Sequence, residues 1–194
     1  VTRKKVAILI SGRGSNMATL IEAAQAADYP AEIVGVLSNR ASAPGLALAA
    51  SHGLATASLA QSKFPSRDMF EDTMTQVLES WETEIVCLAG FMRILGEDFV
   101  DRWQGRLINI HPSLLPAYKG LHTHERAIAD GATEHGCTVH FVTPGLDEGP
   151  AILQARVPVL ATDTPETLSA RVLVEEHRIY PQALRMLAAG EVHI

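Results

Sequence analysis

Four short, almost wholly apolar runs recur along this chain: KVAILI at 5–10, AEIVGVLS at 31–38, IVCLA at 85–89 and RLINI at 106–110. Runs of this length bounded by turn residues read as strands buried on both faces. Helical periodicity fills the gaps between them. Met17, Leu20, Ile21 and Ala24 repeat at i, i+3, i+4 and i+7, and Ser66 can cap a longer helix whose Phe70, Met74, Val77, Leu78 and Trp81 form one core-facing stripe. Shorter helices are predicted over 46–52, 97–103 and 123–130, and a weak strand over 55–59. Residues 137–143, CTVHFVT, alternate enough to predict a strand near an edge, and 152–159 the last strand. Thr164-Pro165-Glu166 opens a final helix, kinked or interrupted at Pro181 and resuming to about Ala189. This alternation predicts an α/β chain: a single Rossmann-like domain over residues 1–194, its mostly parallel central sheet flanked by helices.

In such sheets ligands bind beyond the carboxyl ends of the strands. The first strand runs into Ser11-Gly12-Arg13-Gly14-Ser15-Asn16 and then a helix. Glycines let backbone N–H groups approach an anion, and a helix amino terminus supplies unpaired donors. A dinucleotide site would want a third glycine where Met17 stands, and a Walker loop would want Gly-Lys-Ser/Thr. A monophosphate cradle and a plain tight βα turn both remain open. Gly90-Phe91-Met92-Arg93-Ile94-Leu95 follows another strand and is apolar enough to pack under a loop or to line a pocket for a flat ligand. Arg67, unfavourably placed for the helix dipole at a helix start, holds an anion or is simply solvated.

The stretch Leu107-Ile108-Asn109-Ile110-His111-Pro112-Ser113-Leu114-Leu115-Pro116 carries the chemistry. Residues i and i+2 of a strand share a face, so Asn109 and His111 project together where Pro112 forces the chain out of the sheet. An amide beside an imidazole can serve as oxyanion donor and proton carrier, or can satisfy loop backbone. Asp147 lies in a tight loop, Pro144-Gly145-Leu146-Asp147-Glu148-Gly149-Pro150, at the same strand-end face.

Composition narrows the classes. With 16 Lys+Arg against 22 Asp+Glu the net charge is −6, which argues against a nucleic-acid face. Cys87 and Cys137 sit in apolar runs without the spacing of a disulfide framework or zinc site. No signal peptide or membrane span is expected, so the location expected is cytoplasmic. Of eight histidines, five (His111, His122, His124, His135 and His140) crowd between 111 and 140. Their spacing matches no HExxH motif, so no metal is expected. No Gly-x-Ser-x-Gly elbow is present for a serine hydrolase. Asn, His and Asp without a nucleophile suit a reaction whose substrate brings its own.

These segments (SGRGSN, LAGFMRIL at 88–95, NIHPSLLP at 109–116, GLHTH at 120–124, HFVT with LDEGP up to Pro150, then EEH and IYP) together resemble the phosphoribosylglycinamide formyltransferase family, over nearly the whole chain. The resemblance implies formyl transfer from 10-formyltetrahydrofolate to the glycinamide amine in purine biosynthesis. It implies His111 as proton donor, Asn109 on the formyl oxygen, and Asp147 supporting the charged form of His111. It assigns Gly14, Ser15, Asn16, Met17 and Ala18 to the ribonucleotide, with Glu176 on its ribose. Met92, Arg93, Ile94 and Leu95, with Asn109 and Thr143, Pro144, Gly145, Leu146 and Asp147, would enclose the folate, and Arg67 would meet its anionic tail. Arg13 stands where some members have Asn. The partners implied are small molecules, with no nucleic acid and no membrane, in a monomer or homodimer. A formyltetrahydrofolate hydrolase is the alternative, although its relatives carry a regulatory domain for which the chain has no room. A transfer-RNA formyltransferase would need a second, basic domain, and a binding module without catalysis would give the Asn, His and Asp no reason to converge.

Overall fold

A computed structural model describes residues 2–194. Seven strands form one sheet: β1 (Lys4–Ile10), β2 (Ala31–Ser38), β3 (Ala55–Ser58), β4 (Ile85–Leu88), β5 (Leu107–His111), β6 (Glu134–Phe141) and β7 (Ala151–Pro158). The helices are α1 (Ser15–Ala24), α2 (Pro44–Ser51), α3 (Arg67–Ser80), α4 (Glu97–Arg102), α5 (Thr123–Ala129) and α6 (Pro165–Ala188). Strand order is β3-β2-β1-β4-β5-β6-β7. The pairings from β3 through β5 are parallel, while β5–β6 and β6–β7 are antiparallel. Connections run outward from β1 one way and from β4 the other, which opens the switch-point crevice between them.

Both faces are covered, which is why the strands are apolar without alternation. Val6, Ile8 and Ile10 of β1 join Cys87, Ile108 and Val139 in a core shared with α1 and α6. Their neighbours Ala7, Leu9, Val86 and Leu107 face Phe70, Met74 and Leu78 of α3 and Phe99 of α4. Ser66 caps α3, accepting from the Met69 N–H at 3.2 Å. Trp81 packs across β2, where a Cβ at Gly35 would lie 2.4 Å from its ring, so any side chain there would have to displace the indole.

Two expectations are corrected. The strand expected at 137–143 near an edge does lie next to the edge strand β7, but it begins earlier, at Glu134, ends at Phe141 and is buried from His135 onward. Thr138 and His140 share one face, where the Thr138 hydroxyl bonds Ser113 O and the Leu115 N–H, while His135, on the other face, bonds His124. The last helix is not interrupted at Pro181, since α6 runs continuously through it. One proline removes one N–H, and its carbonyl accepts from the Tyr29 hydroxyl at 2.7 Å.

Candidate active site

Asn109 and His111 leave β5 on one face, opposite His140 and Thr138 of β6. Pro112 then ends the strand, and the chain over 112–122 is held by side chains in place of a ladder. The Thr138 hydroxyl donates to Ser113 O at 2.8 Å and accepts from the Leu115 N–H at 3.1 Å, while Gln154 Nε2 donates to Leu115 O at 2.9 Å. Arg126 donates to Lys119 O at 2.6 Å and lies over the Tyr118 ring, 5.5 Å from its centroid. This ties down Tyr118, whose φ of 52° is left-handed and costly for a bulky residue.

That backbone has a use. His111 Nε2 donates to Tyr118 O at 2.8 Å, and Nδ1 faces Asp147 Oδ2 at 3.5 Å. The ring is thus set between a backbone carbonyl on one nitrogen and a carboxylate beside the other. Asp147, itself at φ 52°, is oriented by the Gly120 N–H on Oδ2 at 2.9 Å. Among the described residues, Tyr118, His122 and Asp147 are three of the four non-glycine residues with positive φ, and all lie in the two loops around His111. Strain gathered in this way marks functional loops.

The Asp147 loop does not leave the sheet at the carboxyl end of β5. Because β6 is antiparallel, the chain departs beside the start of β5, where the Val142 N–H donates to Leu107 O at 2.9 Å. It then folds back along the strand until Asp147 reaches His111.

His140 belongs to the same cluster. Its Nδ1 donates to Phe141 O at 2.9 Å, which leaves Nε2 to accept from Asn109 Nδ2 at 3.4 Å. Burial lowers its pKa, against the opposing pull of the Phe141 carbonyl and Asp147, so the neutral tautomer that orients the Asn109 amide is favoured. Sequence reading placed His140 in a strand but could not see that β6 pairs antiparallel with β5, which is what sets it opposite Asn109.

The glycine turn lies two strands away, about 10 Å by ordinary sheet spacing. Gly14, at φ 73°, caps α1 without any side chain. The Ala18 N–H already donates to Gly14 O at 2.8 Å, so the free donors of the first turn are those of Ser15, Asn16 and Met17. The Met17 side chain is core, and Arg13 is exposed. Asn16 Nδ2 donates to Glu176 Oε1 at 3.1 Å, while Asn16 Oδ1 is buried without a partner among the described residues. Burial raises the Glu176 pKa, which the Asn16 hydrogen bond only partly offsets. An acceptor without a donor and a carboxyl biased toward its protonated form make a place for a hydroxylated or amino ligand.

Four apolar side chains stand open in the loops around this end: Met92 (61% exposed), Ile94 (74%), Leu121 (69%) and Leu146 (52%). Leu121 was not singled out from sequence. Arg67 is exposed beside Gly96 at the foot of the Met92 loop, whose Gly96 N–H donates to buried Glu71 at 2.8 Å. Among the described residues no three His, Cys, Asp or Glu side chains gather as a metal-holding group. No helix of the described residues is long and apolar enough to cross a membrane.

Beneath the Tyr118 ring, His124 Nδ1 and His135 Nε2 share a hydrogen bond at 3.1 Å. Burial, then the charges of His124 and His111, push the His135 pKa down to about 4. The unfolded chain then binds more protons than the folded one between about pH 6.5 and pH 4. The contribution is complete above the unfolded value and is lost as pH falls through that window, by up to about 3 kcal/mol. Urea unfolding at pH 7 and at pH 4.5 should show this loss, and His135→Phe should shrink it. An equal loss in the variant would assign the acid sensitivity to other groups.

Comparison with known proteins gives a consistent relationship. A family profile described as "Formyl transferase" matches residues 4–184. Phosphoribosylglycinamide formyltransferase of Escherichia coli K12 is 46% identical over 187 residues, covering 96% of this chain and 88% of that protein. The trifunctional purine biosynthetic protein adenosine-3 of Drosophila pseudoobscura pseudoobscura is 50% identical over 190 residues, 97% of this chain but only 14% of the longer protein. The crystal structure of phosphoribosylglycinamide formyltransferase from Brucella melitensis superposes with a TM-score of 0.93 at 53% identity, covering 98% of each chain.

Proposed function

The chain belongs to the formyl transferase family, and we propose that it transfers a formyl group from 10-formyltetrahydrofolate to the amine of 5'-phosphoribosylglycinamide, a step of purine (IMP) biosynthesis. The observation that carries this reading is the convergence of Asn109, His111 and Asp147 without a nucleophile of the protein's own. The hydroxyls of Ser113, in the loop after β5, and Thr138, on β6, are spent on backbone carbonyls. The attacking group therefore comes with the substrate.

In this scheme the amine lone pair attacks the formyl carbon, and the carbonyl electrons move onto oxygen. The Asn109 amide, turned by His140, has an N–H free to donate to that oxyanion. His111, with Asp147 behind it, carries the proton that the amine loses to the departing folate nitrogen. Carbonyl reformation then breaks the carbon–nitrogen bond to the folate. The N–H groups of Ser15, Asn16 and Met17 are available to a phosphate. The buried Asn16–Glu176 pair suits the ribose, the open Met92, Ile94 and Leu146 suit a pterin, and Arg67 suits a carboxylate tail.

No metal enters this scheme, and the net charge of −6 gives no support to nucleic-acid binding. One seven-stranded sheet supports reading residues 1–194 as one formyltransferase domain. Two free, buried thiols suit a cytoplasmic location. The hydrolase alternative finds no counterpart among the relatives compared, which are named as formyltransferases or purine biosynthetic proteins. The test is direct. Mixed with 10-formyltetrahydrofolate, the protein should release tetrahydrofolate only when the phosphorylated amine is added. Equal release without the amine would establish hydrolysis instead.

A further inference from the structure

We propose that Ser11, the first residue of the SGRGSN turn, is a positioning residue for the pterin slot and not part of the anion cradle. The inference rests on the two-substrate reading above and assigns each half of one short motif to a different substrate. Ser11 directly follows β1 and is 5% exposed. Its hydroxyl donates to Asn39 Oδ1 at 2.5 Å and accepts from the Met92 N–H at 2.8 Å. A serine hydroxyl has one proton to give, so the bond to Asn39 fixes its rotation and aims a lone pair at Met92.

Met92 needs that tie. The loop after β4 is anchored at its start by the Ala89 N–H on Leu9 O at 2.9 Å, and at its end by the Gly96 N–H on Glu71 at 2.8 Å. Between these anchors the open side chains of Met92 and Ile94 face solvent, and Ser11 Oγ is the partner of the Met92 amide. The anion donors Ser15, Asn16 and Met17 lie beyond two glycines, one at φ 73°, and their placement depends on Gly14 and α1. Gly45 packs the α2 start against Gly12, through its N–H on Gly12 O at 3.1 Å, and makes no use of the Ser11 side chain.

Steady-state kinetics and amide exchange test this together. Ser11→Ala should raise KM for 10-formyltetrahydrofolate about tenfold, the worth of one hydrogen bond near the top of its usual range, and leave KM for the phosphorylated amine within about twofold. Gly14→Val, strained at positive φ and crowding Met17, should do the reverse. In the unliganded protein, amides 91–95 of Ser11→Ala should exchange faster while 14–18 keep their rates. Ser11→Thr keeps the oxygen and should restore both readings. Asn39→Ala frees the hydroxyl to rotate and should give an intermediate folate KM. An unchanged folate KM, an equal rise in both KM values, or unchanged exchange at 91–95 would overturn the assignment. If the wild-type protein failed to use formyl-folate at all, the functional reading would fall, and the exchange experiment would still decide whether Ser11 holds the loop.

Discussion

Asp147→Asn should lower kcat by about 10²-fold and His111→Ala by about 10³-fold, the range of general acid–base catalysis. The Asp147 change isolates charge. Asn tolerates the left-handed backbone that Asp147 adopts at φ 52°, and its amide oxygen can still accept the Gly120 N–H. What disappears is the negative charge 3.5 Å from His111 Nδ1 and 3.9 Å from His140 Nε2. With the carboxylate gone, the ring keeps only its contact with Tyr118 O. Neither residue touches the glycine turn, so KM for the phosphorylated amine should stay near the wild-type value in both variants. The double variant should lose less than the product of the two single losses, because the pair acts as one unit. Full kcat in Asp147→Asn would mean that the carboxylate merely shapes its loop around Gly120.

The parts of this site that are legible in the sequence are those whose contacts are local. Asn109 and His111 were legible because a strand's period of two and a following proline are local facts. The parallel half of the sheet was legible too, since both-face burial leaves unbroken apolar runs such as VAILI. The antiparallel half was not. The β6–β7 connection has no two-residue turn signature, and the alternation of 137–143 indicated only a strand near an edge. Thr138 and His140 are buried on one face, Thr138 bonded to Ser113 O 25 residues away and His140 set against Asn109, contacts that only the fold supplies. Asp147 was picked out by residue type and neighbouring turn residues, yet its route back along β5 rests on pairing that only the fold supplies. Ser11 lies in the turn whose sequence left a monophosphate cradle and a plain βα turn both open. Its partner Met92, 81 residues away, carries no sequence mark of the contact.

Gly149→Ala tests that route, and its effect should be large on both stability and rate. A Cβ at Gly149 would stand 1.7 Å from Phe141 O and 2.7 Å from Phe141 C. Both are backbone atoms of β6, so no side chain can rotate away to make room. The crossing is fixed by the Phe141 N–H on Pro150 O at 2.9 Å, and relieving the clash means breaking that bond or lifting the loop. Losing the crossing and its packing should cost about 3 kcal/mol or more, a fall in Tm of roughly 6–12 °C for a chain of this size. Asp147 lies two residues upstream, so the displacement reaches the catalytic cluster, and a misplacement near 1 Å is worth about 10²-fold in rate. kcat should therefore fall at least as far as in Asp147→Asn. Gly53→Ala supplies the contrast: its φ of 73° is strained for alanine, but nothing lies within 4 Å of the added Cβ. It should lose only about 1–2 kcal/mol and keep its rate. If Gly149→Ala melted and turned over like the wild type, the return path of the Asp147 loop would not depend on this close backbone crossing, and the hairpin would have to be held by Gly120 and Asp147 alone.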